Sequence, residues 1–388
     1  MEKMQTYPRI HLAVDSCFAA KRWVDARGWV KILADCGVRY AEVSADCELD
    51  PLYTEPGLYA ERMKELRELF DEYGLSASSF YSGHGTYSMA GFGSSDRAQR
   101  RYLIENWLAP YAKSAARMRA GVGWYFQAIP EDALNDPAKY RTARDAICES
   151  VRESAALIRD AGCPFAAVEQ MYSPSQIPWT IAGCVDFIRE TEVYTTLDTG
   201  HQTGQRHFLR PDMQTLVDGL REKATPYVGS STAANLYRSA RIEAVNGLDS
   251  DDTLCRVEED MDAHPHLFAS EEDGDLYRWT EELGCYSPII HLQQTDGRVS
   301  AHHPFIQQYN RCGIVRAEKF LAALKKSYDR PELSGMPPRC SDIWLTLELF
   351  FPLTQPSWEV MDELKTSVRW WRKFIPKDGI PLDRLLTN

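Results

Sequence analysis

The chain has 388 residues, of which 44% are hydrophobic and 26% charged, with 23 glycines and 21 prolines. These values are typical of a globular protein and exclude a disordered chain, a collagen-like repeat and a small disulfide-stabilised scaffold. With 44 Lys and Arg against 56 Asp and Glu, the formal net charge is −12. Such an acidic chain has no general attraction for polyanions, so we expect neither nucleic acid nor an anionic membrane among its partners.

The N-terminal sequence MEKMQTYPRIHLAVDS lacks the long apolar core of a signal peptide, and no apolar run reaches membrane-spanning length. The ten cysteines are scattered, and no two of them form a C-x-x-C pair. In a chain of this size, scattered cysteines are typical of small, reduced, buried side chains rather than of zinc or redox sites. We therefore predict a soluble cytoplasmic protein.

Eight short apolar or β-branched segments alternate with longer helical segments along the whole chain. The predicted strands are Ile10–Val14, Tyr40–Ser44, Ala77–Tyr81, Gly121–Gln127, Phe165–Glu169, Val193–Leu197, Ile289–Leu292 and Ile343–Glu348. The clearest amphipathic helices are predicted at Tyr59–Tyr73, Tyr140–Ala161, Ala317–Tyr328 and Trp358–Phe374, with Gly74 and Gly162 as stops after the first two. Strand–helix alternation with apolar strands predicts a single α/β domain over residues 1–388, a (β/α)8 TIM barrel. A doubly wound open sheet is the alternative, although eight units and the missing G-x-G-x-x-G motif favour the barrel.

One connection is much longer than a barrel requires. The predicted strands six and seven are separated by about ninety residues, where a helix and two loops need about thirty. The excess forms an insertion over residues 202–286 with an acidic run at Asp249–Asp262. Two interpretations stay open: a solvated excursion, or a lid or oligomer contact over the barrel mouth.

Polar side chains stand at almost every predicted strand end, where the active site of such a barrel lies. They are Asp15, Glu42, Asp46, Ser82, His84, Gln127, Glu169, Asp198, His201, His291, Gln293, Asp296, Arg298 and Glu348. Glu169, Asp198 and Glu348 would converge near the barrel axis and repel one another unless a cation neutralised them. Individually each carboxylate could be a salt-bridge partner or a turn cap. As a set they are suited to Mn²⁺, Mg²⁺ or Co²⁺.

The order of these residues resembles the xylose-isomerase-like sugar isomerase and epimerase superfamily. The matching motifs are Glu169 after strand five, Asp-x-x-His at 198–201, His-x-Gln at 291–293 and Glu348 on strand eight. The resemblance implies that Glu169, Asp198 and Glu348 bind a divalent metal, with Mn²⁺ the first choice. Gln293 would be the fourth ligand, with His291 beside the metal and in contact with substrate. It also implies a homo-oligomer.

The resemblance further implies that His201 and, with less regular spacing, Arg298 contact the substrate; we add His84 after strand three. The chemistry that fits is proton transfer at a carbon next to a carbonyl, with Glu169 and Glu348 as the acid–base pair. The outcome is either epimerisation of a ketose or interconversion of an aldose and a ketose. A dehydratase or other sugar lyase that passes through the same enediolate also remains open.

Three stretches, YSGHGTY (81–87), QMYSPSQIPWT (170–180) and SPIIHLQQTDG (287–297), are similar to the branch that epimerises tetrulose phosphates such as D-erythrulose 1-phosphate. The substrate predicted is therefore a small sugar or sugar phosphate. Candidate phosphate contacts are Arg298, His302, His303 and the backbone amides near Gly83 and Gly85.

Two functions from other classes are disfavoured. A metal-dependent nuclease on this fold needs more histidines than the nine present and a positively charged track for the nucleic acid. A non-catalytic sugar-binding protein has no need of both glutamates. Of the aromatic residues near strand ends, we expect most to pack in the core rather than against a sugar. These residues are Trp124, Phe126, Tyr172, Trp179, Phe350 and Phe351.

Overall fold

The computed structural model describes residues 6–89, 91–134, 136–210, 258–259 and 261–386. Its strands are β1 Arg9–Asp15, β2 Tyr40–Ser44, β3 Ser76–Tyr81, β4 Gly121–Trp124, β5 Ala166–Glu169, β6 Tyr194–Asp198, β7 Ile289–Leu292, β8 Asp342–Leu347 and β9 Ile380–Pro381. Strands β1 to β8 follow one another in parallel around the sheet, and β1 pairs with both β8 and β2. The sheet is therefore closed, which confirms the (β/α)8 barrel and excludes the open doubly wound sheet.

The predicted strands agree with the observed ones to within one residue at most ends. Strand β4 is the exception, because it stops at Trp124 rather than continuing to Gln127. Beyond Trp124 the backbone pairs with a loop instead of β5: Tyr125 N–H donates to the Ser82 hydroxyl, and Phe126 C=O accepts from Phe92 N–H. The short strand β9 pairs antiparallel with β1 at Arg9 and Ile10.

Helices cover the outside of the barrel between the strands. The described α-helices are Ala26–Asp35, Pro56–Tyr73, His84–Met89, Arg97–Leu103, Ala109–Arg117, Glu131–Leu134, Pro137–Asp160, Ile181–Thr191, Gln202–Gln205, Leu276–Leu283, Gln307–Asn310, Ala317–Asp329, Ser357–Trp371 and Leu382–Leu385. All four predicted helices are present. Gly74 and Gly162 follow the first two at φ 69° and 93°, the left-handed conformation that glycine adopts without strain.

The barrel interior is layered, because residues two apart along a strand point to the same side. Towards the N-terminal end of the strands, Phe165, Ala167 and Ile289 form an apolar cluster against Tyr194 and Trp344. Two residues further along the same strands stand Glu169, His291 and Thr346, all buried. An apolar floor thus lies beneath a layer of buried polar side chains.

The described parts of the 202–286 insertion precede and follow residues 211–257 in the sequence. Residues 208–210 meet Ala269, since Ala269 N–H donates to Phe208 C=O and Arg210 N–H donates to Ala269 C=O. The helix Leu276–Leu283 packs on β6 and on the helix Ala317–Asp329, as a regular barrel helix does. Residues 249–257 and 260 of the acidic run lie outside the described residues, and the lid or oligomer contact stays a prediction.

Within the described part of the chain, no helix combines the length and apolarity needed to cross a bilayer. The nine described cysteines are free, and six of them are buried. This agrees with the expectation that they act as small hydrophobic side chains.

Candidate active site

At the C-terminal end of the barrel, four strands each bring one buried side chain to the same point, and all four side chains are of types that bind metal ions. Glu169 ends β5, Asp198 ends β6, His291 lies within β7 and Glu348 directly follows β8. One ligand atom from each lies within 4.8 Å of the ligand atoms of the other three. The sequence prediction that the three carboxylates converge is therefore met by the geometry.

His291 lies at the centre of this group, surrounded by carboxylates. Its Nε2 is 2.7 Å from Glu42 Oε1, and its Nδ1 is 3.2 Å from Glu169 Oε1 and 3.3 Å from Glu348 Oε2. Burial alone would lower the pKa of His291, but Glu348, Glu42 and Glu169 outweigh burial and raise that pKa well above its ordinary value. The imidazole thus lies in a strongly negative environment.

The two predicted catalytic glutamates have different surroundings. Burial raises the pKa of Glu169, although His291 and His201 oppose the effect. Burial would also raise the pKa of Glu348, but the neighbouring rings of His291 and His302 hold it well below its usual range. A further carboxylate close by, Asp15, has its pKa raised by burial and by the charges of Glu42 and Glu348.

Asp198 uses its two carboxylate oxygens differently. Oδ1 accepts three hydrogen bonds, from the backbone N–H groups of Gly200 and His201 and from Gln293 Nε2. Oδ2 is buried and has no hydrogen-bond partner among the described residues. Asp198 therefore caps the turn after β6 with one oxygen and leaves the other available to a ligand.

The donor set fits a divalent cation. Unpartnered buried oxygens are costly, and Asp198 Oδ2 and Glu348 Oε2 both lack a well-aligned hydrogen bond within the described part of the chain. A cation between three carboxylates and an imidazole would satisfy both oxygens and offset the repulsion. Mostly oxygen donors with one nitrogen suit Mn²⁺, Mg²⁺ or Co²⁺ better than structural zinc.

Gln293, the predicted fourth ligand, lies next to the cluster with its amide oriented by other groups. Its Nε2 donates to Asp198 Oδ1 at 2.8 Å, and its Oε1 accepts from the backbone N–H of His302 at 2.6 Å. The amide oxygen is the atom that would bind a metal, and it already accepts a hydrogen bond from the backbone N–H of His302. His201 and His302 form a second group with Asp198 whose ligand atoms also lie within 4.8 Å.

A cavity of about 350 Å³ opens above the carboxylate cluster. Both glutamates line it, and so do the three residues predicted to contact substrate from the loops: His84, His201 and Arg298. His201 Nδ1 lies 2.8 Å from the Gln170 carbonyl oxygen, so Nδ1 carries the proton. His291, the remaining predicted substrate contact, does not line the cavity because it is fully buried beneath it.

Only some of the residues predicted to contact a phosphate line the cavity. Arg298 and His302 line the cavity, whereas His303 stacks on Tyr309 with ring centroids 3.9 Å apart. The backbone N–H groups of His84 and Gly85 donate to the Asp46 carboxylate, so these amides already have an acceptor. Of the six aromatic residues singled out, Tyr172 and Phe350 line the cavity.

Several residues at the site were not predicted to act there. Glu42 is among the polar strand-end residues of the sequence analysis but has no role assigned there, although a charged side chain inside an apolar strand indicates a functional position. His207, Tyr87 and Tyr125 also line the cavity. Tyr87 and His207 follow the ends of β3 and β6 by several residues, and no spacing rule distinguishes such loop positions from ordinary surface. Tyr125 directly follows β4 and falls inside the predicted fourth strand.

The sequence model of the family described as xylose isomerase-like TIM barrel matches residues 30–248, more than half of the chain. The chain is 28% identical over 117 residues to D-erythrulose 1-phosphate 3-epimerase of Brucella abortus (strain 2308), a match covering 30% of this chain and 34% of that protein. The match therefore spans about a third of that relative's length.

Several solved structures, including the following two, resemble the chain over almost its whole length. A putative xylose isomerase from Rhodospirillum rubrum ATCC 11170 has a TM-score of 0.64 at 17% identity, covering 93% of this chain and 97% of its own. D-allulose 3-epimerase from Methylomonas sp. has a TM-score of 0.56 at 15% identity, covering 95% and 99%. At these identities the likeness shows the fold. Together with the family match, it shows that the chain belongs to the xylose isomerase-like TIM barrel family.

Proposed function

We propose that the protein is a metal-dependent epimerase of a ketose or ketose phosphate, acting at the carbon next to the carbonyl. The observation that carries the proposal is the pair of glutamates, Glu169 and Glu348, which both line an open cavity and lie beside Asp198 and His291. Two carboxylates that flank a cation and face the same cavity are the groups that proton removal and return next to a carbonyl require. The family match and the names of the relatives support the same class of reaction.

The residues that would hold the divalent ion are Glu169, Asp198 and Glu348 with one donor from β7. When bound, the ion would supply a Lewis acid that polarises the substrate carbonyl and stabilises negative charge on its oxygen. We propose Mn²⁺ as the resident ion, with Mg²⁺ and Co²⁺ as substitutes, because the donor set is rich in oxygen.

In this mechanism Glu169 and Glu348 are the acid–base pair: the ionised carboxylate removes the proton from C3 of the ketose, and the other carboxyl group, protonated beforehand, returns a proton to the opposite face of the enediolate. Glu169 is held for this role by the Tyr81 hydroxyl, 3.4 Å from its Oε2, and by His291 at its Oε1. His201 binds a substrate hydroxyl with Nε2, since its Nδ1–H is committed to the Gln170 carbonyl. Arg298 at the cavity rim binds the phosphate on C1.

The proposed substrate is a short ketose phosphate such as D-erythrulose 1-phosphate. Two observations support it: the name of the Brucella abortus relative and the presence of Arg298, His84 and His207 around the cavity. We also propose a reducing, cytoplasmic compartment, which agrees with the free cysteines, and a homo-oligomeric state, which follows from the family resemblance.

The test is proton NMR in D₂O with Mn²⁺-loaded enzyme and a panel of ketoses and their 1-phosphates, tetruloses included. We expect deuterium to enter C3 and a new epimer signal to appear. Glu169→Gln and Glu348→Gln should each lower the exchange rate by at least about a hundredfold, because each removes one of the two proton-transfer groups. Glu68→Gln, the same change on the exposed face of the helix Pro56–Tyr73, is the matched control.

Near-normal exchange in both glutamate variants would overturn the assignment of the acid–base pair. Exchange at C1 or C2 with an aldehyde product would identify an aldose–ketose isomerase instead. Loss of a hydroxyl as water, with a new carbonyl signal, would identify a dehydratase.

A further inference from the structure

Glu42 is a carboxylate in the middle of a buried, apolar strand. It lies in β2 between Ala41 and Val43, has no exposed surface, and pairs in register with Asp15 of β1. An ionised carboxylate in such a place is strongly unfavourable unless hydrogen bonds and an opposite charge compensate for lost hydration. Its presence therefore needs a reason other than the packing of the strand.

Two contacts fix the Glu42 carboxylate. The Ser79 hydroxyl donates to Oε2, and His291 Nε2 lies 2.7 Å from Oε1. The contact with Ser79 depends on a bulge, because Ala41 is opposite Ala77 whereas Glu42 is opposite Ser79, so Ser78 is an extra residue in β3. Bulges of this kind redirect side chains next to active sites.

The contact with Glu42 also determines which ring nitrogen of His291 is available. Nε2 lies 2.7 Å from a carboxylate oxygen of Glu42, and such an oxygen accepts, so Nε2–H is the donor in this contact. Nδ1 then faces Glu169 Oε1 at 3.2 Å and Glu348 Oε2 at 3.3 Å. The Tyr81 ring packs edge-on against the imidazole, with centroids 4.8 Å apart, and restricts its rotation.

We infer that Glu42 is a positioning residue that acts through His291. By accepting a hydrogen bond from Nε2–H, Glu42 directs Nδ1 at the space between Glu169, Asp198 and Glu348, and so makes His291 the β7 ligand of the divalent ion. The inference rests on the proposed function, because it concerns the same metal site. Metal-binding histidines usually donate their other N–H to a carboxylate or carbonyl.

The distances around Nδ1 agree with this role. Nδ1 lies 3.2 Å from Glu169 Oε1 and 3.3 Å from Glu348 Oε2, and the four candidate ligand atoms lie within 4.8 Å of one another, close enough for one ion to bind them all. Gln293 is a poorer candidate, because its Oε1 accepts the His302 backbone N–H and its Nε2 faces Asp198. Its role in this arrangement is to hold Asp198 Oδ1, so that Oδ2 stays free.

The first test is the affinity of the metal-free protein for Mn²⁺, measured by the EPR signal of the unbound ion. We expect Glu42→Gln to raise the Kd by about 10- to 100-fold, the usual effect of removing such a partner.

Asp15→Asn is the matched control, since it removes a buried carboxylate at the paired position of β1 whose Oδ1 accepts from Cys17 N–H. We expect it to change the Kd by less than about threefold. Equal losses in both variants would mean that Glu42 contributes only charge, and would overturn the inference.

Pulsed EPR of the bound Mn²⁺ supplies a second readout, because a coordinated imidazole ¹⁴N modulates the electron spin echo. The modulation should be present in the wild type and in Gln293→Ala, and lost in His291→Gln. Its persistence in His291→Gln would assign the nitrogen to another histidine and overturn the inference.

Folding is checked by circular dichroism and urea unfolding of each metal-free variant. If Glu42→Gln does not fold, Ser79→Ala replaces it, since loss of the hydroxyl loosens Glu42 without removing its charge and should raise the Kd severalfold. An unchanged Kd in folded Ser79→Ala would then count against the inference. A wild type that binds Mn²⁺ through His291 but exchanges no ketose proton would refute the proposed function alone, and a wild type that binds no Mn²⁺ would refute both.

Discussion

The side chains around the cavity form two groups that differ in exposure. Glu169, Asp198 and His291 at its base are almost fully buried, whereas the Arg298 side chain at its rim is 87% exposed. In the proposed mechanism, the charges at the base are poorly screened and would act on the reacting atoms. A charge at the rim is screened by water, so its proposed contribution is to hold one end of the substrate.

Arg298→Gln should therefore affect binding rather than chemistry. We expect KM for a ketose phosphate to rise about tenfold, the lower end of the range for a hydrogen bond to a charged group, because the side chain is exposed. The kcat value and the KM for the unphosphorylated ketose should change little. Arg67→Gln, on the outer helix Pro56–Tyr73, makes the same change in net charge and should leave both constants unaltered. Equal rises in KM for both substrates would contradict a phosphate contact.

At the scale of elements, the glycines of β4 make room for large residues on the strands beside it. A Cβ added at Gly123 would lie 2.0 Å from Tyr81 Cε2, and one at Gly121 would lie 2.1 Å from the Phe165 ring. Tyr81 reaches both Glu169 and His291 across that space. Gly123 thus leaves the space for the aromatic ring that packs against the candidate metal site.

Gly123→Ala should displace the Tyr81 ring, because the added methyl group would overlap the space that the ring fills. We expect the free energy of unfolding in urea to fall by about 1–3 kcal/mol, the usual cost of overpacking a core. The matched substitution is Gly85→Ala, whose Cβ would only contact Asp46 at 3.6 Å and should change stability by less than about 0.5 kcal/mol. A Gly123→Ala protein as stable as the wild type would show that this part of the barrel adjusts freely.

For the molecule as a whole, the barrel depends on closure between its first and last strands. Strand β1 pairs with β8 over six residues, and Arg9 and His11 both contact the Asp342 carboxylate, Arg9 with two hydrogen bonds of 2.6 and 2.7 Å. Burial alone would raise the pKa of Asp342, but hydrogen bonds from Arg9, His11 and Ser341 lower it to about 2. Asp342 is ionised across the whole range in which the protein is expected to work.

A lowered pKa in the folded state means that this carboxylate stabilises the fold above the ordinary pKa of aspartate, about 3.9, and loses the effect as pH falls towards 2. We expect Asp342→Asn to lower the free energy of unfolding at pH 7 by about 1 kcal/mol, a modest value because the Arg9 side chain is 60% exposed. The difference from the wild type should disappear between about pH 4 and pH 2 in urea titrations. Asp71→Asn, on the exposed face of an outer helix, should show no such convergence. A difference that stays constant with pH would show that Asp342 acts through packing alone.

The sequence by itself determined the elements and most of the carboxylates. Strand and helix positions follow from local apolar periodicity, and in a parallel barrel all strand ends meet on one face, so Glu169, Asp198 and Glu348 had to be neighbours. The four predicted helices and the closed barrel depended only on such local patterns and on the number of repeats.

Only the tertiary structure decided which side chains pair inside that face. Glu42 and His291 are 249 residues apart, and their contact depends on the bulge in β3 and on one ring orientation. The same holds for Gln293, whose amide is turned by the backbone at His302. Such contacts are set by strand register and side-chain rotamers over a few ångströms, and local sequence patterns do not specify either of them.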